Sequence, residues 1–93
     1  MKVLVMQITL YASWTQSLKE KRMVIKSIIA KISNHFKVSV AEIDAQDVHK
    51  TIVIGIAAIV DSNKRADQLE EAILNYVEMN TEAEIIDSVS EIR

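Results

Sequence analysis

The sequence contains no cysteine, no proline and a single glycine, Gly55. Without cysteine, a disulfide framework, a thiol nucleophile and a thiolate metal site are all excluded. With one glycine, the chain has no glycine-rich loop that could cradle a phosphate group. Its turns must instead be built from Asn, Asp and Ser, whose side chains hydrogen-bond the backbone in tight turns.

Aromatic residues make up only 4% of the chain, and no long apolar run is present. A membrane helix needs roughly 20 consecutive apolar residues. Gln7 and Thr9 interrupt the apolar start of the chain, and no small-residue cleavage site follows them. The formal net charge of −2 predicts no global attraction to nucleic acid or anionic membrane, so any such binding needs a local basic patch. We therefore expect a soluble cytoplasmic protein with no membrane partner.

The chain does contain enough apolar sequence for a core, since 49% of its 93 residues are hydrophobic. This length and composition predict one folded domain, residues 1–93. Residues 2–11 alternate with period two, which predicts a strand. Ser17 then opens the Ser-x-x-Glu pattern of a capping box with Glu20, and apolar residues at helical spacing continue to about Phe36.

The second half of the chain continues this alternation of strands and helices. Residues 50–60 are apolar on both faces, which predicts a strand at the centre of a sheet. Residues 63–79 combine an inner apolar stripe with an acidic outer face, as is typical of a surface helix. Residues 82–92 contain a final strand, in which Ile85-Ile86-Asp87 breaks the alternation as at an edge or a β-bulge.

The short strand predicted over residues 38–44 has two faces of mixed character. Glu42 and Asp44 should not face a core, and this places their side of the strand on the open surface, together with Val38 and Val40. The core side would then be formed by Ser39, Ala41 and Ile43.

The order strand, helix, strand, strand, helix, strand, with right-handed crossovers, predicts the α+β ferredoxin-like fold, βαββαβ. Its four-stranded antiparallel sheet would have the spatial order 4-1-3-2, with both helices on one face. The first and third strands, which are the two most apolar ones, would then lie at the centre of the sheet.

One face of such a sheet carries no helix, and here it would be apolar. Soluble monomers rarely expose apolar patches larger than a few hundred Å², which favours a face-to-face homodimer or another partner site. Scattered exposed apolar side chains are also common, so a solvent-exposed face without any partner is the alternative. Gly55 and Ala57 would let another backbone approach closely. The residues assigned to this dimer or partner face are Val3, Val5, Val40, Val53, Gly55, Ala57 and Ile59.

A basic flank lies along the start of the first helix. Lys19, Arg22 and Lys26 are spaced three and four residues apart and would line up beside the apolar face. Lys21 falls near the apolar arc, and we expect its side chain to snorkel at the edge, where it could contact phosphate with the other three. A solvated helix face is the commoner interpretation of such a run. Against it, a cation at a helix start opposes the helix dipole by roughly 0.3–1 kcal/mol.

Glu42, Asp44, Asp47 and His49 crowd the predicted hairpin between the second and third strands. Their spacing matches no calcium loop and no His-x-x-x-His pair, so turn capping by Asp44 and Asp47 is the simpler interpretation. No metal and no cofactor are expected. No Ser/His/Asp or Cys/His constellation stands at a recognisable spacing, so no catalytic residue and no enzyme activity are predicted.

Three segments resemble the YlxP-like family of small uncharacterised bacterial proteins, namely Ser17-Leu18-Lys19-Glu20-Lys21-Arg22, residues 38–47 and residues 54–57. The similarity extends over essentially the whole chain, and it implies a ferredoxin-like fold. Members of the family are often encoded beside translation and ribosome-maturation genes, which implies a role near ribosomal RNA or in ribosome assembly. The family has no established catalytic residues to carry over.

These observations lead to two hypotheses about function. The first is a non-enzymatic cytoplasmic protein that binds RNA or a ribosomal particle through Lys19, Arg22 and Lys26, with Lys21 as a fourth contact. The second is a homodimeric protein-interaction or small-ligand module that uses the open face of the sheet.

Overall fold

Six elements follow one another in the order that the sequence predicts, and the computed structural model describes all of residues 1–93. The predicted boundaries agree with the observed ones to within two residues, and those of the first strand coincide. The elements are β1 (Lys2–Tyr11), α1 (Leu18–His35), β2 (Ser39–Asp44), β3 (Thr51–Val60), α2 (Asn63–Asn80) and β4 (Glu84–Ile92).

The four strands form one antiparallel sheet in the order β2-β3-β1-β4. β1 and β3 pair along their whole length, from Lys2 opposite Val60 to Tyr11 opposite Thr51. They are the two most apolar strands, and the central positions of the sheet bury most of their apolar side chains. The predicted α+β ferredoxin-like fold, with strand order 4-1-3-2, is confirmed.

The core lies between the sheet and the two helices. Each helix buries one apolar stripe, and neither combines the length and the hydropathy needed to cross a membrane. Fully burying one such aliphatic side chain stabilises the fold by about 1.5–3 kcal/mol. The sheet contributes Leu4, Met6, Ile8, Leu10, Ile52, Ile54 and Ile56, and the helices contribute Ile25, Ile28, Ile32, Ala66, Ile73 and Val77.

Both helices begin at a serine that caps them. The Ser17 hydroxyl oxygen accepts a hydrogen bond from the Glu20 N–H at 3.1 Å, and the Ser62 oxygen accepts from the Arg65 N–H at 3.1 Å. Of the reciprocal capping box predicted at the start of α1, the structure contains the serine half. The Ser17 cap fixes where α1 starts, and therefore where its basic residues lie.

The last strand contains the irregularity that its sequence predicts. The register between β1 and β4 shifts between Thr9 and Leu10, which pair with Asp87 and Ile85, so that Ile86 is the extra residue. A bulge at this position bends an edge strand and disrupts its unpaired side.

Lys50 stabilises two loops that contain neither glycine nor proline. Lys50, which has a left-handed φ of 74°, donates from its ammonium to the backbone oxygens of Ser13 and Thr15. The Ala12 N–H in turn donates to the Lys50 carbonyl at 2.8 Å. The connector 12–16 and the hairpin 45–50 are thereby tied together at one end of the sheet.

Candidate functional site

The Lys21 side chain lies inside the protein, with 0% of its surface exposed. Its ammonium donates hydrogen bonds to the backbone oxygens of Ala45, at 2.6 Å, and Val48, at 2.5 Å, and stands 3.9 Å from a carboxylate oxygen of Glu42. Burial lowers the pKa of Lys21 below its ordinary 10.5, although the charges of Glu42 and Asp47 act to raise it. The prediction that Lys21 snorkels to the surface is wrong, because the hairpin closes over it.

The pair of Lys21 and Glu42 also reverses the faces predicted for β2. Glu42 points to the helix side, where its Oε2 atom is buried and accepts no hydrogen bond. Val40 lies on the same side and packs against the core, whereas Ala41 and Ile43 line the open face. Val40 is therefore wrongly assigned to the partner face. The assignment failed because Glu42 was expected to need solvent, whereas a lysine from α1 supplies its counter-charge.

The remaining acidic residues of the hairpin serve the chain itself. Asp44 Oδ1 accepts a hydrogen bond from the Ala45 N–H at 2.7 Å, which confirms its predicted role in the turn. The same role predicted for Asp47 is wrong, because its carboxylate accepts no hydrogen bond in the turn and instead faces Arg22 on α1, with 3.9 Å between the charged atoms. No group of three or more His, Cys, Asp or Glu side chains is arranged to hold a metal ion.

Three of the four predicted phosphate contacts remain on the surface of α1. Lys19, Arg22 and Lys26 are exposed and follow one another along the helix; we call these three residues the basic stripe. Arg22 and Asp47 are both largely exposed, so their ion pair contributes little. Neither Lys19 nor Lys26 forms a salt bridge. The basic stripe is thus available to an external anion.

Basic residues are concentrated in the first part of the chain and acidic residues in the last part, and in the folded protein they lie on different sides. Residues 1–60 contain eight Lys and Arg against four Asp and Glu, whereas residues 61–93 contain three against nine. α1 packs over β2 at one edge of the sheet, and α2 contacts β4 at the other edge. The molecule therefore has a basic side around α1 and an acidic side around α2 and β4.

The open face of the sheet is accessible only in part. Val53 is 7% exposed, and a Cβ atom on Gly55 would lie 2.8 Å from Cγ2 of Ile43. The space above Gly55 is filled by a side chain of this molecule, so the prediction that another backbone approaches there is wrong. Ala57 remains exposed and Ile59 is 73% exposed, and these two form the accessible apolar part of β3.

A groove that no sequence pattern revealed lies between α1, the end of α2 and the connector 12–16. It has a volume of about 630 Å³. Trp14, Met23 and Met79 supply its apolar walls from three separate segments, so local spacing could not bring them together. The one signal in the sequence was a tryptophan in a connector that the core does not need. Lys31 bridges the helices beside the groove by donating to the Asn80 carbonyl at 2.8 Å.

Comparison with known proteins identifies the family of this chain. The family described as "Protein of unknown function (DUF503)" matches residues 3–90. The chain is also 37% identical over 68 residues to the "Uncharacterized protein YlxP" of Bacillus subtilis (strain 168), a match that covers 73% of this chain and 74% of that protein. The resemblance to the YlxP-like family is confirmed, and the chain belongs to the DUF503 family.

Proposed function

We propose that the protein is a non-enzymatic, cytoplasmic RNA-binding protein whose partner is ribosomal RNA or a ribosomal particle. The observation that carries this proposal is the basic stripe. Lys19, Arg22 and Lys26 are exposed on α1. Among these three, only Arg22 forms an ion pair, and that pair, with Asp47, is itself exposed. Lys21, which the sequence grouped with them, is excluded from the contact because the hairpin covers it.

Helix stability does not account for the position of the stripe. Lys19 and Arg22 lie within the first two turns of α1, near the positive end of the helix dipole. A cation there costs roughly 0.3–1 kcal/mol, so the charges oppose the helix that carries them. An RNA backbone, by contrast, gains affinity from each cation through the release of its condensed counterions.

The charges on the rest of the molecule favour one direction of approach. The acidic side around α2 and β4 repels a polyanion, and the basic side around α1 attracts it. A chain with a net charge of −2 can therefore bind RNA through one surface without a general affinity for polyanions. This orientation supports a specific particle as the partner, in agreement with the ribosomal setting that the YlxP-like resemblance implies.

The one buried ion pair also supports a binding protein rather than an enzyme. The Lys21 ammonium donates hydrogen bonds to the carbonyl oxygens of Ala45 and Val48, and Glu42 serves as its counter-charge. Such a pair is engaged in closing the hairpin, where it holds the loops beside the basic stripe.

Filter binding of ribosomal RNA across a salt series tests the proposal. Three phosphate contacts give a slope of log affinity against log salt of about −2 to −3, so that affinity falls roughly 20- to 40-fold between 50 and 200 mM salt. The triple variant Lys19→Gln, Arg22→Gln, Lys26→Gln is expected to lose this dependence. Its matched control carries the same three-charge loss elsewhere on the surface, at Lys37, Lys64 and Arg65.

The two variants separate a local site from a general effect of charge. The stripe variant should bind weakly at every salt concentration, while the control variant keeps the wild-type slope. Equal losses in both variants, or binding that ignores salt, would reject the stripe as the RNA site. Co-sedimentation with ribosomal subunits then asks whether the partner is a ribosomal particle, and a wild-type protein that stays in the supernatant rejects that partner.

The alternative function is a homodimeric protein-interaction or small-ligand module that uses the open face of the sheet. The observation that favours it is the exposure of Ile59 and Val89, at 73% and 56%, on the face without helices. Val3, Val5 and Ala57 continue this apolar surface on the central strands. A second copy placed face to face would remove these side chains from water.

Sedimentation at low micromolar concentration tests the alternative. A dimer is expected to dissociate in Ala57→Asp and Ile59→Asp, because both positions are exposed and a charge there opposes association without entering the core. Ser27→Asp on α1 is the control, because Ser27 is exposed in the groove on the helix side of the sheet, and it should leave the dimer intact. A wild-type chain that sediments as a strict monomer rejects this function.

A further inference from the structure

Trp14 stands exposed at the mouth of the groove between the helices. It is 37% exposed, although it belongs to a connector that the chain holds firmly in place. Its neighbours in the groove are Met23 and Met79, which are 65% and 85% exposed. A large aromatic ring and two flexible thioethers left in water at one place are typical of a contact surface rather than of a core.

The connector presents this ring in one fixed position. Both neighbours of Trp14 in the chain are tied down, because the Lys50 ammonium donates to the carbonyl oxygens of Ser13 and Thr15, at 2.5 and 2.9 Å. Thr15 is wholly buried, and its hydroxyl donates to the Ala12 carbonyl at 2.9 Å. A preorganised aromatic platform loses little conformational entropy when a flat ligand binds to it.

The groove and the basic stripe share one edge of α1. Met23, which lines the groove, lies four residues after Lys19 and three residues before Lys26, so that all three side chains are neighbours on the helix surface. A ligand that follows the cations therefore passes the open side of the groove. A ligand that fits both the stripe and the groove is therefore an anionic chain that carries flat side groups.

We propose that the groove receives an unpaired base of single-stranded RNA, which stacks on Trp14 while the adjacent phosphates lie on Lys19 and Lys26. This inference rests on the proposed function and specifies its substrate as single-stranded rather than duplex RNA. A base in a duplex keeps its faces covered by its neighbours, so only an unstacked base can enter the groove. The carboxylates of Glu20 and Glu82 also line the groove and can accept hydrogen bonds from an amino group on the edge of the base.

The two unpaired cations beside the groove favour a base of a nucleic-acid strand over an apolar protein segment as the occupant. The lining of the groove itself carries Lys31 and the carboxylates of Glu20 and Glu82. Lys19 and Lys26 flank Met23 at the edge of the groove, and neither of them forms a salt bridge. A nucleic-acid strand satisfies these cations and the aromatic ring at once, through its two repeating chemical parts. A protein segment would need acidic residues placed at matching positions, and it is the competing outcome of the test.

Trp14 is the single tryptophan of the chain, so its fluorescence reports on the groove alone. Short single-stranded oligoadenylate is titrated into the wild-type protein, and duplex RNA and heparin, a polyanion without bases, are titrated in parallel. We expect the oligoadenylate to quench the fluorescence. Heparin should bind the stripe and leave the fluorescence unchanged, and the duplex should quench little.

Variants assign the quenching to stacking. Trp14→Ala should weaken oligoadenylate binding about 5- to 150-fold without changing the affinity for heparin. Trp14→Phe should retain most of the affinity, since it keeps an aromatic face. Tyr11→Ala is the matched control, because Tyr11 is 39% exposed and lies on the sheet rather than in the groove; it should bind like wild type.

The outcomes distinguish this inference from the proposed function. Salt-dependent RNA binding that survives in Trp14→Ala, with no quenching in wild type, overturns the stacking site and leaves the basic stripe as the RNA site. Absence of any RNA binding overturns both. Quenching by an acidic amphipathic peptide, but not by oligoadenylate, assigns the groove to a protein partner and overturns the inference.

Discussion

Replacing Lys21 by methionine removes the ammonium that closes the hairpin and keeps an unbranched chain of similar length in its place. The backbone oxygens of Ala45 and Val48 lose a charged donor, and one such hydrogen bond contributes about 1.5–3 kcal/mol. Glu42 keeps a buried oxygen without its counter-charge, and breaking a buried pair in this way costs about 3–5 kcal/mol. These two losses overlap, so we expect Lys21→Met to lower the free energy of unfolding by about 3–5 kcal/mol.

Urea unfolding followed by circular dichroism measures this loss. The expected value is large, because a domain of this kind is stable by only about 5–15 kcal/mol. Lys19→Met is the matched control. It is the same substitution two residues earlier on the same helix, but on an exposed side chain, so it should change stability by no more than about 0.5 kcal/mol.

A double variant shows whether the loss comes from the pair. In Lys21→Met with Glu42→Gln, the buried charge that lost its partner is also removed. The double variant should therefore be more stable than the sum of the two single losses predicts, by about 0.5–3 kcal/mol. If Lys21→Met costs no more than Lys19→Met, or if the two single losses simply add, the argument that Lys21 and Glu42 hold the hairpin is refuted.

The lowered pKa of Lys21 links stability to pH, because the unfolded chain holds this proton up to about 10.5 and the folded chain releases it at a lower pH. Between these two values the free energy of unfolding should rise with pH in wild type relative to Lys21→Met, and a difference that stays flat contradicts the burial. Gly55→Ala places a methyl group 2.8 Å from Cγ2 of Ile43 and should cost about 1–3 kcal/mol in urea unfolding. Adding Ile43→Ala should relieve most of the Gly55→Ala cost, and strictly additive losses would contradict the contact. Ser17→Ala removes the acceptor of the Glu20 N–H and should cost about 1 kcal/mol in thermal unfolding, with no change expected if that cap is absent in solution.

The elements of this protein could be predicted from spacing along the chain. Period two in residues 2–11 and 50–60 marks the central strands, and helical spacing marks the two helices, with Ser17 in capping position before the first. The order of these elements then leads to the ferredoxin-like sheet, because few topologies allow two right-handed crossovers around one hairpin. The break at Ile86 was visible for the same reason, since alternation is a local property.

The site was predicted less well, because most of its residues meet across long separations in the chain. The spacing of Lys21 with Ile25, Ile28 and Ile32 already put it on the buried stripe of α1. Lysine is seldom buried without a partner, and that partner, Glu42, lies on another element. The basic stripe needed only helical spacing and was found, whereas the groove beside it needed three segments and was missed.

The sequence by itself determined the strands, the helices, their caps and the order of the sheet, since each depends on neighbours a few residues away. Only the tertiary structure decided which face of β2 is buried, that Lys21 closes the hairpin, and that Ile43 fills the space above Gly55. The physical reason is that a charge or a small residue takes its role from what packs against it. Those partners are set when the sheet and helices assemble.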